Sequence, residues 1–260
     1  MSTSYVLRNK MEKAKSHPQK QQEEEYKFPY HYIPQYKSYF TQTYNLDWGI
    51  SYSGMIEFLL GKLKEEDFQS LADIGTGDGR IAAEIAYEFY QKDIVGIDYS
   101  EHAIALAKAM NPSLNFLCTD ITTDTSGKKY DCITLIEVFE HIPPASADNF
   151  VKALYSILEE NGFVLLTVPH KNITLTPKHF QHFSSEEIKE YFKSYFVIEE
   201  EILFEKQSLI TNIIKRFMTN RYFILNHRKL KNIVYSYYKG KLFYADEKNC
   251  GRVFLKLRKK

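Results

Sequence analysis

Two stretches hold the residue types that could do chemistry. "LADIGTGDGR" (71–80) sets Gly75, Gly77 and Gly79 at alternate positions, with Asp73 before them. "IEVFEHIPP" (136–144) carries Glu137, Glu140 and His141, and offsets of 0, 3 and 4 on a helical turn put all three on one face. Downstream, "PHKNITLTPKHFQHFSSEE" (169–187) adds His170, His179 and His182. Imidazole exchanges protons near neutrality, so His141 is the first choice for a general base and His179 the second. A hydrogen-bonded structural role is an equally open reading for each. The glycines, lacking a Cβ, accept positive φ and let a ligand approach the backbone. Their spacing is not the G-x-G-x-x-G that sets a pyrophosphate on a helix, and no P-loop Lys-Ser/Thr follows. Asp73 puts negative charge where a pyrophosphate needs none and a cationic ligand would be at ease. The plain alternative is a structural turn.

The elements around these stretches say what could hold them in place. Strand-like runs fall at 70–75, 93–98, 114–118, 130–136 and 162–168, with helical patterns at 80–91, 101–110 and 145–160 between several of them. Strand–helix alternation means βαβ units and a parallel sheet covered on both faces. A helix at 53–66 precedes the run. Another at 184–194 opens with a Ser184/Glu187 capping box, and strands at 196–204 and 251–258 follow. In such a sheet ligands bind beyond the carboxyl ends of the strands, where the glycine loop, Asp98 and Asp120 all fall. Asp98, 23 residues after Gly75, can accept from both ribose hydroxyls. Asp120 can accept from an adenine amino group while the Ile121 backbone reads the ring edge.

With these residues in place, the chain resembles the class I S-adenosylmethionine-dependent methyltransferases. "LADIGTGDGR", "IVGIDYS", "LCTDIT" and "YDCITLIEVFEHIPP" are similar to their first four motifs, in order and in register. The departures, Thr76 for Cys or Ala and Ala72 for Leu or Val, are mild. The resemblance implies a Rossmann-like, doubly wound seven-stranded sheet, mostly parallel, with a late antiparallel strand beside the edge. It implies S-adenosyl-L-methionine as cofactor, held by Asp73, Gly75, Thr76, Gly77, Gly79, Asp98, Tyr99, Asp120, Ile121 and Glu137. Methyl transfer is an in-line displacement in which positioning counts for much, and a hydroxyl nucleophile gains from a base. The fourth strand lacks the Asn/Asp-Pro-Pro-Tyr/Phe of the amino-methylating DNA enzymes.

Glu-x-x-Glu-His has two readings. It resembles the fourth motif of generic small-molecule and sugar methyltransferases, in which Glu137 packs near the cofactor and His141 is a base or a structural residue. It also partly resembles the Hen-type RNA 2′-O-methyltransferases, where it would bind a divalent metal with a later His. "HFQHFSSEEI" fits the generic pattern better, so no metal is expected. The acceptor expected is a saccharide or other small hydroxylated molecule. The alternatives are a metal-dependent RNA 2′-O-methyltransferase and a non-catalytic, cofactor-binding adaptor.

Composition bounds the rest. The net charge of +1 hides a split, with residues 211–260 at +12 and the first 210 at −11. The basic part suits an anionic surface or a lipid-linked substrate, nucleic acid less so, and a solubilising lysine face is the bland reading. Residues 205–250 read as an insertion of two helices, 208–219 and 227–238, with interleaved Tyr and Lys/Arg, starting over the mouth of the site. Residues 1–25 are expected to be disordered, and the aromatic segment 26–52 to be a lid with His31 and Tyr32 on the substrate side. The methyltransferase domain is expected over 53–260. Three cysteines without CxxC spacing, no signal peptide and no apolar run of membrane length point to a cytoplasmic protein.

Overall fold

The computed structural model describes residues 18, 20, 26, 29–32, 49–123, 127–218, 222 and 227–260. Most of the expected tail at 1–25 lies outside them. Seven strands form one sheet in the order β3-β2-β1-β4-β5-β7-β6. They are β1 (Ser70–Ile74), β2 (Asp93–Asp98), β3 (Asn115–Cys118), β4 (Tyr130–Ile136), β5 (Leu158–Pro169), β6 (Phe196–Phe204) and β7 (Arg252–Lys259). The first five pair in parallel, and β7 runs antiparallel between β5 and β6, which the expected topology required.

Side chains alternate between two cores because both faces are covered. On β5, Phe163 and Leu165 point into one core and Val164, Leu166 and Val168 into the other. The first core is roofed by α1 (Gly49–Lys64), α2 (Arg80–Glu88) and α3 (Glu101–Met110), and the second by α4 (Ala147–Ser156) and α5 (Ser185–Phe192). Ser184 accepts from the Glu187 amide while Glu187 reaches back, so the expected capping box is present. Two boundaries move. α1 begins at Gly49, inside the segment expected as lid. The helix expected to reach 160 stops at Ser156, because Leu158 already pairs with Tyr130 and opens β5. Cys132 is buried as a small apolar residue, whereas Cys118, at the end of edge strand β3, is exposed.

The insertion carries α6 (Leu209–Met218) and α7 (Arg228–Tyr237), followed by a wide turn at Tyr238–Leu242. Tyr238 and Phe243 pack on Gly54 of α1, where any Cβ would press on both rings. Phe243 also stacks with Phe204 at 5.4 Å, so one end of the insertion is pinned to the first core. Part of the aromatic content is therefore buried packing.

Candidate functional site

One cavity of about 810 Å³ opens beyond the carboxyl ends of the strands. Asp73, Gly75, Thr76, Asp98, Tyr99, Asp120, Ile121 and Glu137 line it, together with Glu140, His141, His179 and His182. Gly77 and Gly79 do not reach it. All three loop glycines have positive φ (71°, 58° and 80°), which only glycine adopts without strain. What crowds them, however, is protein. A Cβ on Gly75 would overlap the Val138 side chain, one on Gly77 would lie 2.7 Å from the Tyr26 hydroxyl, and one on Gly79 2.8 Å from the Phe116 ring. Close ligand approach is thus an expectation that only Gly75, which lines the cavity, still meets.

Asp73 is a brace under the loop. Thr134 donates to one of its oxygens and Thr76 to the other, both at 2.7 Å, tying β4 and the glycine loop to β1. Burial pushes its carboxyl up to about 6, against the pull of the two hydroxyls. Asp98 accepts from the Gly77 amide at 3.0 Å and from the Ser100 amide at 2.9 Å, which tie the glycine loop to the end of β2. Asp78, buried between the glycines, holds the turn at Tyr30–Tyr32 through the His31 amide (3.1 Å) and the His31 ring (3.0 Å). Arg80 donates to the His31 carbonyl at 3.0 Å. His31 lines the cavity but Tyr32 does not; it bonds Asn111 and sits under Arg80, and most of the segment expected as lid lies outside the described residues.

Glu137, Glu140 and His141 do not share a helical face. Glu137 directly follows β4 with a left-handed φ of 57°, and only Phe139–His141 form a 3₁₀ turn. Glu137 instead accepts from Thr167 at 3.0 Å and from Arg252 at 2.9 Å. Glu140 and His141 meet His179, with one ligand atom from each lying within 4.8 Å of the others.

Hydrogen-bond roles fix the protons in this group. The Lys178 carbonyl can only accept, so His141 carries its proton on Nδ1 and leaves Nε2 bare. His182 likewise donates from Nδ1 to the Ile173 carbonyl at 3.1 Å. Its Nε2 then accepts from His179 Nδ1 at 2.8 Å, which bares Nε2 of His179. Burial lowers the His141 pKa to about 4, lowers His179 further and lowers His182, so all three are neutral near pH 7. Burial raises Glu140 well above an ordinary carboxyl, and neither of its buried oxygens has a hydrogen-bond partner among the described residues.

His170 stands apart. The Asn172 amide donates to its Nδ1, so Nε2 carries the proton and donates to Glu247 at 3.0 Å. That leaves His170 no lone pair for a metal, although Glu247 and Cys250 lie beside it.

A methyltransferase-domain family model matches residues 51–202, more than half of the chain. The chain belongs to the methyltransferase-domain family. Curated relatives include the release factor glutamine methyltransferase of Aliivibrio fischeri, 32% identical over 36% of this chain and 37% of its own. The protein-lysine N-methyltransferase EFM4 of Saccharomyces cerevisiae is 33% identical over 44% of this chain and 58% of its own. The ubiquinone biosynthesis O-methyltransferase of Rickettsia prowazekii is 27% identical over 45% and 48%. The chain thus spans roughly half or less of the length of most of these relatives. Among solved structures, the N-methyltransferase NodS of Bradyrhizobium japonicum, in complex with S-adenosyl-l-homocysteine, superposes with a TM-score of 0.55 at 12% identity, over 80% of this chain and 87% of that one. The magnesium protoporphyrin IX methyltransferase of Synechocystis, with bound SAM, gives 0.54 at 14% identity, over 84% and 86%. These likenesses bear out the expected fold.

Sequence reasoning missed Arg252, Glu205, Lys215 and Lys178, all of which line the cavity. Arg252 opens β7 and pairs with both Glu137 and Glu205. Glu205 follows β6 with a φ of 61° and is also held by Lys215 of α6 at 2.5 Å. Only the spatial insertion of β7 brings these groups together. The two left-handed glutamates would have looked in sequence like any strand end.

Proposed function

We propose that the chain is an S-adenosylmethionine-dependent methyltransferase acting on a hydroxyl of a saccharide or other small acceptor. The observation that carries this reading is the bare Nε2 of His141, held neutral in the same cavity as the glycine loop. When bound, S-adenosyl-L-methionine supplies an electrophilic methyl group. Asp98 and Asp120 suit its ribose and adenine, and Gly75, Thr76, Tyr99, Ile121 and Glu137 line the same cavity. Arg252 and Thr167 hold the Glu137 carboxylate in place at the cavity wall. His141 takes the hydroxyl proton at Nε2 as the oxygen–carbon bond forms and the carbon–sulfur bond breaks. The Lys178 carbonyl stabilises the imidazolium that results.

Methyl-tritiated cofactor incubated with a cell extract tests this, with Asp98→Ala, which removes the ribose acceptor from the cavity, as the control. Label in the saccharide fraction, dependent on wild-type protein and lost in His141→Gln, supports the reading. Label in the protein fraction, or none above the control, overturns it.

A second reading is favoured by the convergence of Glu140, His141 and His179. It is metal-dependent methylation of an RNA 2′-hydroxyl. The residues fit a divalent cation, because two bare imidazole nitrogens backed by hydrogen bonds and one unpartnered carboxylate meet within 4.8 Å. There the metal would lower the pKa of the acceptor hydroxyl. Loss of transfer to RNA on chelation and in Glu140→Ala supports this reading, and full activity in both removes it.

A further inference from the structure

The insertion turns apolar side chains outward. On α6, Thr211 and Met218 are buried and Ile214 half-buried, while Leu209, Ile210, Ile213 and Phe217 are 75%, 47%, 57% and 47% exposed. On α7, Lys231 is buried and Val234 and Tyr235 half-buried, while Leu230, Ile233 and Tyr237 are 41%, 65% and 44% exposed. A surface helix of a water-soluble domain usually presents its polar face to solvent. These two present aliphatic stripes. At 100° per residue, Arg216 flanks the stripe of α6 and Lys229 that of α7, and both cations are exposed. Residues 206–245 hold nine Lys and Arg and no Asp or Glu.

We propose that this insertion docks on an anionic phospholipid surface. The aliphatic stripes enter the boundary between headgroups and acyl chains, and the flanking cations meet lipid phosphates. Charge complementarity selects this occupant. A second copy would set one cationic surface on another. Single-stranded nucleic acid would be gripped by stacking aromatics, whereas five of the seven outward apolar side chains of the two helices are aliphatic, Phe217 and Tyr237 being the aromatic pair. No helix among the described residues is long and apolar enough to cross a membrane, so the contact is peripheral. Asn212 and Lys215 of α6 also line the cavity, so docking sets its mouth at the lipid surface. If the proposed hydroxyl methylation holds, the acceptor is then a polar head carried on a lipid anchor. The docking itself does not depend on that reading.

The test is flotation of the whole protein with phosphatidylcholine vesicles, with and without phosphatidylglycerol. Two double variants accompany it, Ile213→Asp/Ile233→Asp and Arg216→Glu/Lys229→Glu, each shown to fold by its denaturation curve. All four positions are exposed, so folding is spared. The expected result is recovery with phosphatidylglycerol vesicles only, an affinity about tenfold lower in either variant, and release by salt. Equal recovery of wild type and both variants, or no recovery of wild type, overturns the proposal. So does a concentration-dependent dimer abolished by Ile213→Asp/Ile233→Asp, which would assign the stripes to a second copy. Release of lipid-bound protein by single-stranded RNA in wild type and the apolar variant alike would also overturn it.

Discussion

Arg252 donates from Nε to Glu137 at 2.9 Å, across 115 positions of sequence, and its guanidinium also pairs with Glu205. Glu137 and Glu205 are the two non-glycine residues with positive φ among those described, and both directly follow strands. Strained backbone persists where surrounding structure over-determines it. Here one guanidinium holds both sites. Arg252→Met is expected to lower stability by about 3 kcal/mol, since Glu205 is left buried with only Lys215. Urea denaturation measures this, and a loss below a fifth of that figure would show the pairs to be idle.

Asp73 gives a pH dependence. Its folded pKa of about 6 lies above the ordinary 3.8, so between these values the folded state holds the proton more tightly than the unfolded chain. The contribution is fully present below the unfolded value and is lost as pH rises through about 6. Two units correspond to about 3 kcal/mol. The stability difference between wild type and Asp73→Asn is expected to shift by this order between pH 4 and pH 7, against wild type at the higher pH. A flat difference across that range would refute the assignment.

Gly75→Ala forces a Cβ into Val138 at a φ of 71°. Val138 directly follows Glu137, so relief of the clash moves the cavity wall. We expect cofactor affinity to fall at least about tenfold by calorimetry. Gly75→Ala/Val138→Ala should recover part of the loss, whereas a defect confined to φ would not be rescued.

Ser184→Ala removes the acceptor for the Glu187 amide at the start of α5. About 1 kcal/mol of stability should go with it, without effect on cofactor binding. A change in cofactor affinity would show that α5 and the segment before it, which carries His179 and His182, move as one piece.

The sheet, its late antiparallel strand and the glycine loop were legible because each rests on local pattern: period-2 runs, amphipathic helices, and glycines at φ values other residues avoid. Glu137 was misplaced for the same reason. A spacing of 0, 3 and 4 reads as a helix face, and nothing nearby reveals that Arg252 will arrive to hold Glu137 left-handed. The imidazole protons were illegible too, since their positions depend on the carbonyls of Lys178 and Ile173. His170 looks like its neighbours in sequence and differs only in receiving the Asn172 amide.

Among the strands, the one placed between β5 and β6 is the last to be synthesised. Until β7 emerges from the ribosome, both neighbours offer open edges, and Glu205 lacks its Arg252 partner. A nascent chain at that stage has its glycine loop and first five strands but neither a finished sheet nor a finished site. Competence for binding should therefore appear late and abruptly, and the interval before it is when chaperones or misdirected strand pairing have their opportunity.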